Sequence, residues 1–136
     1  MKKVMAFGSF DILHKGHTHY LKEAKSYGNY LIVIVARDEN IVKFKGKFPR
    51  NNENYRLEQI KKLDFVDEAV LGNKDNILEV LDKYKPDVIC LGYDQKTVDE
   101  TKLKEELEKK KIKADIVRAK PYKEHIYKSS KLKDAK

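Results

Sequence analysis

Residues 4–17 read VMAFGSFDILHKGH and join a short apolar run to a turn rich in glycine and histidine. The run Val4–Phe7 has the composition of a buried strand, and Thr18–Tyr27 has helical periodicity. A strand, a turn and a helix in this order form the first half of a βαβ unit. Because open α/β sheets bind ligands at the carboxyl ends of their strands, the turn Gly8–His17 is the first candidate site.

The rest of the chain continues this alternation of strands and helices. The run Leu31–Ala36 is apolar without alternation, as expected of a strand covered on both faces. The pattern predicts an α/β fold, a Rossmann-like, doubly wound and mostly parallel five-stranded sheet with helices on both faces. The 136 residues fit a single domain, residues 1–136. Arg37–Asn54 is predicted to be irregular, and a connection of that length is usually functional or mobile. The other predicted strands are Ala69–Leu71, Val88–Leu91 and Ala114–Arg118, and the other predicted helices are Asn54–Leu63, Asn76–Lys83 and Val98–Lys111.

Composition limits the partners. The formal net charge of +8 favours anionic ligands. Nucleic-acid binding is not favoured, because the chain has no recognisable binding module. No apolar run approaches the ~18 residues of a membrane span, so no membrane association is predicted. The single cysteine, Cys90, lies in an apolar run and is predicted to be a buried structural thiol in a reducing, cytoplasmic setting.

The turn itself has the chemistry of a phosphate site. Backbone N–H groups at a helix N-terminus favour anions, and Gly8 and Gly16 allow the backbone to approach a ligand closely. His14 and His17 lie three residues apart near the helix start, so both imidazoles can donate to phosphoryl oxygens. Asp11 is expected to brace the turn. The stretch is neither a Walker loop nor a Rossmann glycine fingerprint.

A zinc site is the alternative interpretation of a His-x-x-His pair. It needs at least a third ligand, and the only other histidines are His19 and His125, neither of which has a cysteine beside it. No metal held by protein side chains is therefore predicted.

The string GSFDILHKGH at residues 8–17 closely resembles the signature of the nucleotidyltransferase superfamily, G-[T/S]-F-D-x-x-H-x-G-H. This resemblance implies that His14 and His17 are catalytic, because they would bind the triphosphate and stabilise the charge that develops during transfer. It also implies that Ser9 and Phe10 contact the nucleotide. The nucleotide-binding residues that the motif implies are Gly8, Ser9, Phe10, His14, Lys15, Gly16 and His17.

Later segments are similar to the archaeal FAD synthase family and, next, to glycerol-3-phosphate cytidylyltransferases. Residues 91–95, LGYDQ, resemble the archaeal FAD synthase element whose aspartate, here Asp94, lies by the adenosine. Residues 127–132, YKSSKL, resemble the element that opens a final helix against the triphosphate. The resemblance therefore implies nucleotide binding by Ser129 and Ser130.

Basic residues complete the implied site. Residues 43–47, KFKGK, resemble the basic loop of archaeal FAD synthases, and Lys45 is expected to join the catalytic set. Lys43, Arg56 and Lys123 are candidate contacts to a substrate phosphate. Arg56 also has a plainer interpretation, an ion pair with a nearby glutamate (Glu53 or Glu58). The segment before the paired serines departs from both families, because it lacks a cysteine pair and the arginine usual in cytidylyltransferases.

The resemblance implies nucleotidyl transfer, in which an acceptor phosphate attacks the α-phosphate of a nucleoside triphosphate and pyrophosphate leaves. The expected partners are ATP or CTP with Mg²⁺ or another divalent cation, and a phosphorylated small molecule. FMN adenylyl transfer is the leading interpretation, and a CTP-dependent cytidylyl transfer to glycerol 3-phosphate is the alternative within the class. A non-catalytic nucleotide-binding or RNA-binding protein is the alternative outside it. Short members of the superfamily commonly dimerise, so a homodimer is expected.

Overall fold

The computed structural model describes residues 1–73, 77–92 and 98–120, and they form a five-stranded sheet with helices on both sides. The strand order is β3-β2-β1-β4-β5 and all four pairings are parallel. The strands are β1 (Lys3–Gly8), β2 (Tyr30–Val35), β3 (Glu68–Leu71), β4 (Val88–Leu91) and β5 (Asp115–Arg118). The helices are α1 (Lys15–Ser26), α2 (Asp38–Lys45), α3 (Glu53–Lys61), α4 (Val80–Tyr84, preceded by a 3₁₀ turn at Ile77–Glu79) and α5 (Glu100–Lys109).

The three central strands, β2, β1 and β4, are covered on both faces. On one face, Val4 and Ala6 of β1 pack in a cluster with Leu21 of α1 and Ile60 of α3. On the other face, the alternate residues of the strands pack in a second cluster with Leu81 of α4 and the leucines of α5. The predicted α/β fold, with five strands and helices on both faces, is confirmed. Cys90 lies in the first cluster with no exposed surface, as predicted.

The chain reverses its direction of winding between β1 and β4, which lie side by side at the centre of the sheet. β1 pairs with β2 as far as Gly8, but it pairs with β4 only as far as Ala6. The two central strands therefore separate at their carboxyl ends. A crevice at such a reversal is where doubly wound sheets bind ligands.

Tyr20 of α1 fills the point where the two strands separate. Its hydroxyl donates to the carbonyl oxygen of Cys90 at 2.6 Å and lies 3.3 Å from both the N–H and the carbonyl oxygen of Phe7. Burial raises the pKa of the Tyr20 phenol well above its usual range, so it stays protonated. One side chain of α1 thus joins β1 to β4 below the crevice.

One prediction about the secondary structure is wrong. The stretch Arg37–Asn54 was expected to be irregular, but its first half is the helix α2. The helix has acidic residues in its first turn and lysines in its last, which suits the helix dipole. It ends at Gly46, whose φ of 74° is the left-handed conformation that closes many helices. Because α2 buries only Ile41, it has no apolar stripe from which periodicity could reveal it.

None of the helices in the described part of the chain is long and apolar enough to cross a lipid bilayer.

Candidate functional site

The two imidazoles of the first turn build the N-terminus of α1. His14 is the N-cap, and its Nδ1 accepts a hydrogen bond from the backbone N–H of Gly16 at 3.0 Å. In return, Nδ1 of His17 accepts from the backbone N–H of His14 at 3.3 Å. This reciprocal pair is a capping box made of two histidines, and it satisfies two N–H groups that the helix start leaves without partners.

These hydrogen bonds decide which ring nitrogens carry protons. An Nδ1 atom that accepts a hydrogen bond has no proton, so the neutral form of each ring has its proton on Nε2. Nε2 of His14 is buried and has no hydrogen-bond partner among the described residues. A buried N–H without a partner is costly unless a ligand accepts from it. His14 therefore presents a donor at the mouth of the crevice.

Both imidazoles are held in the neutral form. Burial lowers the pKa of His14, and burial lowers the pKa of His17 to about 3. The proximity of His14 and, to a lesser degree, the charge of Lys45 contribute to this lowering of the His17 pKa, while a hydrogen bond to the Ile12 backbone acts in the opposite direction. The two rings stack with centroids 3.9 Å apart. Repulsion disfavours charging both stacked rings, and burial disfavours a charge on either one, so the neutral pair is the stable state at neutral pH.

Phe10 folds back over Gly8 and supports the imidazoles from below. Its φ of 52° is unusual for a residue with a side chain and costs about 1–2 kcal/mol. The ring is buried, and a Cβ on Gly8 would lie 2.5 Å from it. The Phe10 ring also meets the edge of His17, with centroids 5.4 Å apart. Gly8 is therefore required because it leaves room for the aromatic ring under the site.

Asp11 fastens the segment 46–52 to the turn. Its carboxylate accepts the backbone N–H groups of Arg50 and Asn51, both at 2.8 Å, and the Asn51 amide donates to the Asp11 carbonyl oxygen at 2.5 Å. The bracing role expected for Asp11 is confirmed, and the segment that it braces comes from another part of the chain.

Arg56 lies beneath the site with no exposed surface. Its guanidinium donates to the carbonyl oxygens of Ser9 and Ala36 at 2.8 Å and of Asn51 at 3.0 Å, and to the Asp38 carboxylate at 2.7 Å. The expected ion pair with a neighbouring glutamate is therefore wrong. All of these acceptors belong to the protein, so Arg56 holds the backbone around the site and does not present its donors to a substrate phosphate.

A pocket opens beside the turn, between Ser9 and the end of α2. Lys45 belongs to this pocket, and its charge also acts on His17. The pocket therefore adjoins the imidazole pair. Its lining residues are Ser9, Asp11, Ile41, Lys45, Lys47, Phe48 and Pro49.

A protein-held metal site is not formed by the described residues. In residues 1–73, 77–92 and 98–120, no three His, Cys, Asp or Glu side chains lie close enough together to hold an ion. A divalent cation at this site would have to take its oxygens from phosphates and water, which is a common arrangement for Mg²⁺.

Comparison with known proteins identifies the family. A family model described as cytidylyltransferase-like matches residues 5–135, nearly the whole chain. The chain belongs to the cytidylyltransferase-like family. Among curated relatives, a FAD synthase of Ferroglobus placidus is 53% identical over 118 residues, which are 87% of this chain and 76% of that protein. A FAD synthase of Thermoplasma volcanium is 45% identical over 133 residues, which are 98% of this chain and 92% of that protein.

Solved structures agree with the family assignment. The structure described as the lipopolysaccharide core biosynthesis protein from Thermoplasma volcanium GSS1 superposes with a TM-score of 0.82 at 48% identity, covering 90% of this chain and 98% of that one. The pantoate-β-alanine ligase of Francisella tularensis superposes with a TM-score of 0.64 at 18% identity, covering 98% of this chain and 65% of that one. The second match shows a shared fold alone.

The structure brings together the residues that the cytidylyltransferase-like signature singled out. Residues 8–17 form one turn and the first turn of α1, and Lys45 reaches the same place from α2. Lys15 and Lys43 are exposed, the first on α1 and the second on α2. The remaining predicted site residues lie outside the described residues. They are Asp94, Lys123, Ser129 and Ser130.

Sequence reasoning missed residues that build the site from a distance. Tyr20 was placed in a helix but not at the junction of the central strands, and Asp38 was not expected to pair with Arg56. Phe48 was not predicted to line a pocket, although an aromatic residue between a lysine and a proline is an unusual composition for an exposed loop. That composition was the available signal for the pocket.

Proposed function

We propose that this chain is an FMN adenylyltransferase, an FAD synthase that transfers the adenylyl group of ATP to FMN and releases pyrophosphate. The curated FAD synthases at 45% and 53% identity support this choice within the family. The observation that carries the catalytic part is the buried Nε2–H of His14, which has no acceptor among the described residues and lies at a helix N-terminus.

The site suits a reaction that needs charge stabilisation more than proton transfer. The acceptor phosphate already carries negative charge at neutral pH, so no general base is required. The neutral imidazole of His14 donates a hydrogen bond from Nε2 to a phosphoryl oxygen, and the helix N-terminus and the Lys45 ammonium add positive potential. Because the Nδ1 atoms are tied to the backbone, the ring planes are fixed before substrate binds. Preorganised donors of this kind stabilise the transition state without reorganisation.

His17 has two roles in the proposed reaction. It fixes the tautomer and plane of His14 through the capping box and ring stacking, and we expect from the signature that it also contacts the triphosphate. A divalent cation accompanies the triphosphate in this proposal and neutralises its charge.

A pyrophosphate-release assay tests the function directly. ATP and CTP are each combined with FMN and with glycerol 3-phosphate in the presence of Mg²⁺, and FAD is identified by chromatography. We expect release with ATP and FMN, together with stoichiometric FAD. Release only with CTP and glycerol 3-phosphate would replace the proposal with a cytidylyltransferase. No release from any pair, with RNA binding that weakens as salt is raised, would replace it with a binding protein.

A further inference from the structure

The pocket beside the turn has an exposed aromatic ring, Phe48, among its lining residues. Phe48 has 71% of its surface exposed, although it lies in a segment that the protein fastens at several points. Ile41, which also lines the pocket, is buried, and Pro49, the next residue after Phe48, is another lining residue. An aromatic side chain left this open gains nothing from the core, so its packing energy is available to a ligand.

The segment that carries Phe48 is held by hydrogen bonds to Asp11 and not by apolar packing. Asp11 accepts the backbone N–H groups of Arg50 and Asn51, two and three residues beyond the ring. On the other side, the left-handed Gly46 ends α2 two residues before it. The position of the Phe48 backbone is thus fixed from both ends. A ring presented from a fixed backbone loses little entropy when a ligand stacks on it.

The charged residues near the Phe48 ring indicate which chemical group the ligand carries besides a planar ring. Two lysines, Lys45 and Lys47, line the pocket, and both oxygens of its one carboxylate, Asp11, already accept backbone N–H groups. A phosphate is therefore attracted to the pocket. Lys45 also acts on His17, so a phosphate beside Lys45 would lie next to the imidazoles that receive the triphosphate. Positive charge beside an exposed aromatic ring suits a phosphorylated molecule that also carries a planar ring system.

We propose that Phe48 is a specificity-determining residue that stacks on the isoalloxazine ring of FMN while the FMN phosphate lies beside Lys45. This inference rests on the proposed function and names the part of the chain that recognises its acceptor. It also gives a physical reason for the choice of acceptor, because glycerol 3-phosphate has a phosphate but no ring to cover Phe48.

The test compares Phe48→Ala with Phe44→Ala. Phe44 is a matched control, since it is an aromatic residue with 59% of its surface exposed, lies on α2 and does not line the pocket. We expect Phe48→Ala to raise the KM for FMN about tenfold or more, the scale of losing one aromatic stack on a base. The KM for ATP and the kcat should stay within about twofold, a margin worth less than one stacking contact. Phe48→Tyr should restore the wild-type KM, and Phe44→Ala should leave it unchanged.

Binding is measured separately from turnover. FMN fluorescence is titrated with each protein in the absence of nucleotide, and wild type should quench it while Phe48→Ala should quench it weakly at the same concentration. Three outcomes would overturn the inference. Phe48→Ala could bind FMN as tightly as wild type, Phe44→Ala could weaken FMN binding to the same degree, or Phe48→Ala could change the oligomeric state without changing FMN affinity. If wild type made no FAD yet bound FMN through Phe48, the proposed function would fail and the pocket assignment would survive.

Discussion

At the scale of single residues, the two ring nitrogens of each histidine, His14 and His17, have different roles. Each Nδ1 is committed to the backbone at the start of α1, so each neutral ring carries its proton on Nε2. Substitution can therefore remove the catalytic donor of a histidine while keeping its hydrogen bond in the helix cap. A residue that retains an acceptor at the δ position keeps the helix cap, whether or not it has a donor further out.

His14→Asn makes this separation for the N-cap. Asparagine is among the best N-cap residues, so the cap and the unfolding free energy should be retained. The Nε2 donor is lost, and kcat should fall about 10²-fold or more, the scale of removing one donor to a developing charge. Steady-state FAD formation and thermal unfolding measure the two effects. Wild-type turnover in a folded His14→Asn protein would exclude His14 as a donor.

The low pKa of His17 makes stability depend on pH. The unfolded chain protonates this residue near its ordinary value of 6.5, while the folded chain resists protonation until about pH 3. The unfolded state therefore binds more protons between these values, and the stabilisation present above pH 6.5 is lost as the pH falls toward 3.

His17→Gln removes this dependence and keeps the capping box, in which glutamine is a standard third residue. Between pH 7 and pH 4, the wild type should lose about 1–3 kcal/mol more unfolding free energy than the variant. Guanidinium denaturation at pH 7, 6, 5 and 4 checks this. Parallel curves for the two proteins would contradict the neutral buried imidazole.

At the scale of elements, the position of α2 decides where Lys45 can reach. Arg37 pairs with Glu53 of α3 at 3.0 Å, and the same glutamate accepts the backbone N–H of Asp38 at 3.0 Å. Asp38 in turn pairs with the buried Arg56. The start of α2 is therefore joined to the start of α3 by charged groups and not by a hydrophobic contact. For this reason the pattern of apolar residues in the sequence does not reveal α2.

Arg56→Lys tests this connection. Lysine keeps the charge but cannot reach four acceptors from one planar group, so buried carbonyl oxygens are left without donors. We expect the unfolding free energy to fall by about 2 kcal/mol or more, measured by denaturant titration. Arg50→Lys, at an exposed arginine of the neighbouring segment, is the control and should have no effect. Equal stability of both variants would show that the Arg56 network contributes little.

At the scale of the whole molecule, the fold class and the number of strands could be predicted further than the site. Runs such as residues 31–36 are apolar throughout, and this pattern is specific to strands buried on both faces. Periodicity could not reveal α2, which buries one side chain, or the contact of Arg56 with Ser9, which lies 47 residues away along the chain. Long-range polar contacts depend on where the elements meet, and no local pattern encodes them. The expected homodimer stays a prediction that light scattering can check.

Tyr20→Phe tests the junction of the central strands. The variant loses the hydroxyl that joins Cys90 of β4 to Phe7 of β1, and buried backbone groups lose their partner. We expect a loss of about 1–3 kcal/mol of unfolding free energy. Tyr27→Phe is the matched control on the same segment, because within the described part of the chain that hydroxyl bonds the Glu23 side chain alone, at 2.9 Å near the surface. Similar losses of unfolding free energy in the two variants would show that the Tyr20 hydroxyl contributes no more to stability than a hydroxyl near the surface.

The double use of the histidines also bears on how this protein can change over generations. Most replacements of His14 or His17 damage folding and chemistry together, so selection acts on these positions twice. Only replacements that still supply a capping acceptor, Oδ1 in His14→Asn and Oε1 in His17→Gln, leave a folded chain without the Nε2 donors. The route from an enzyme of this kind to a non-catalytic descendant is correspondingly narrow, and sequence at these two positions distinguishes the two outcomes.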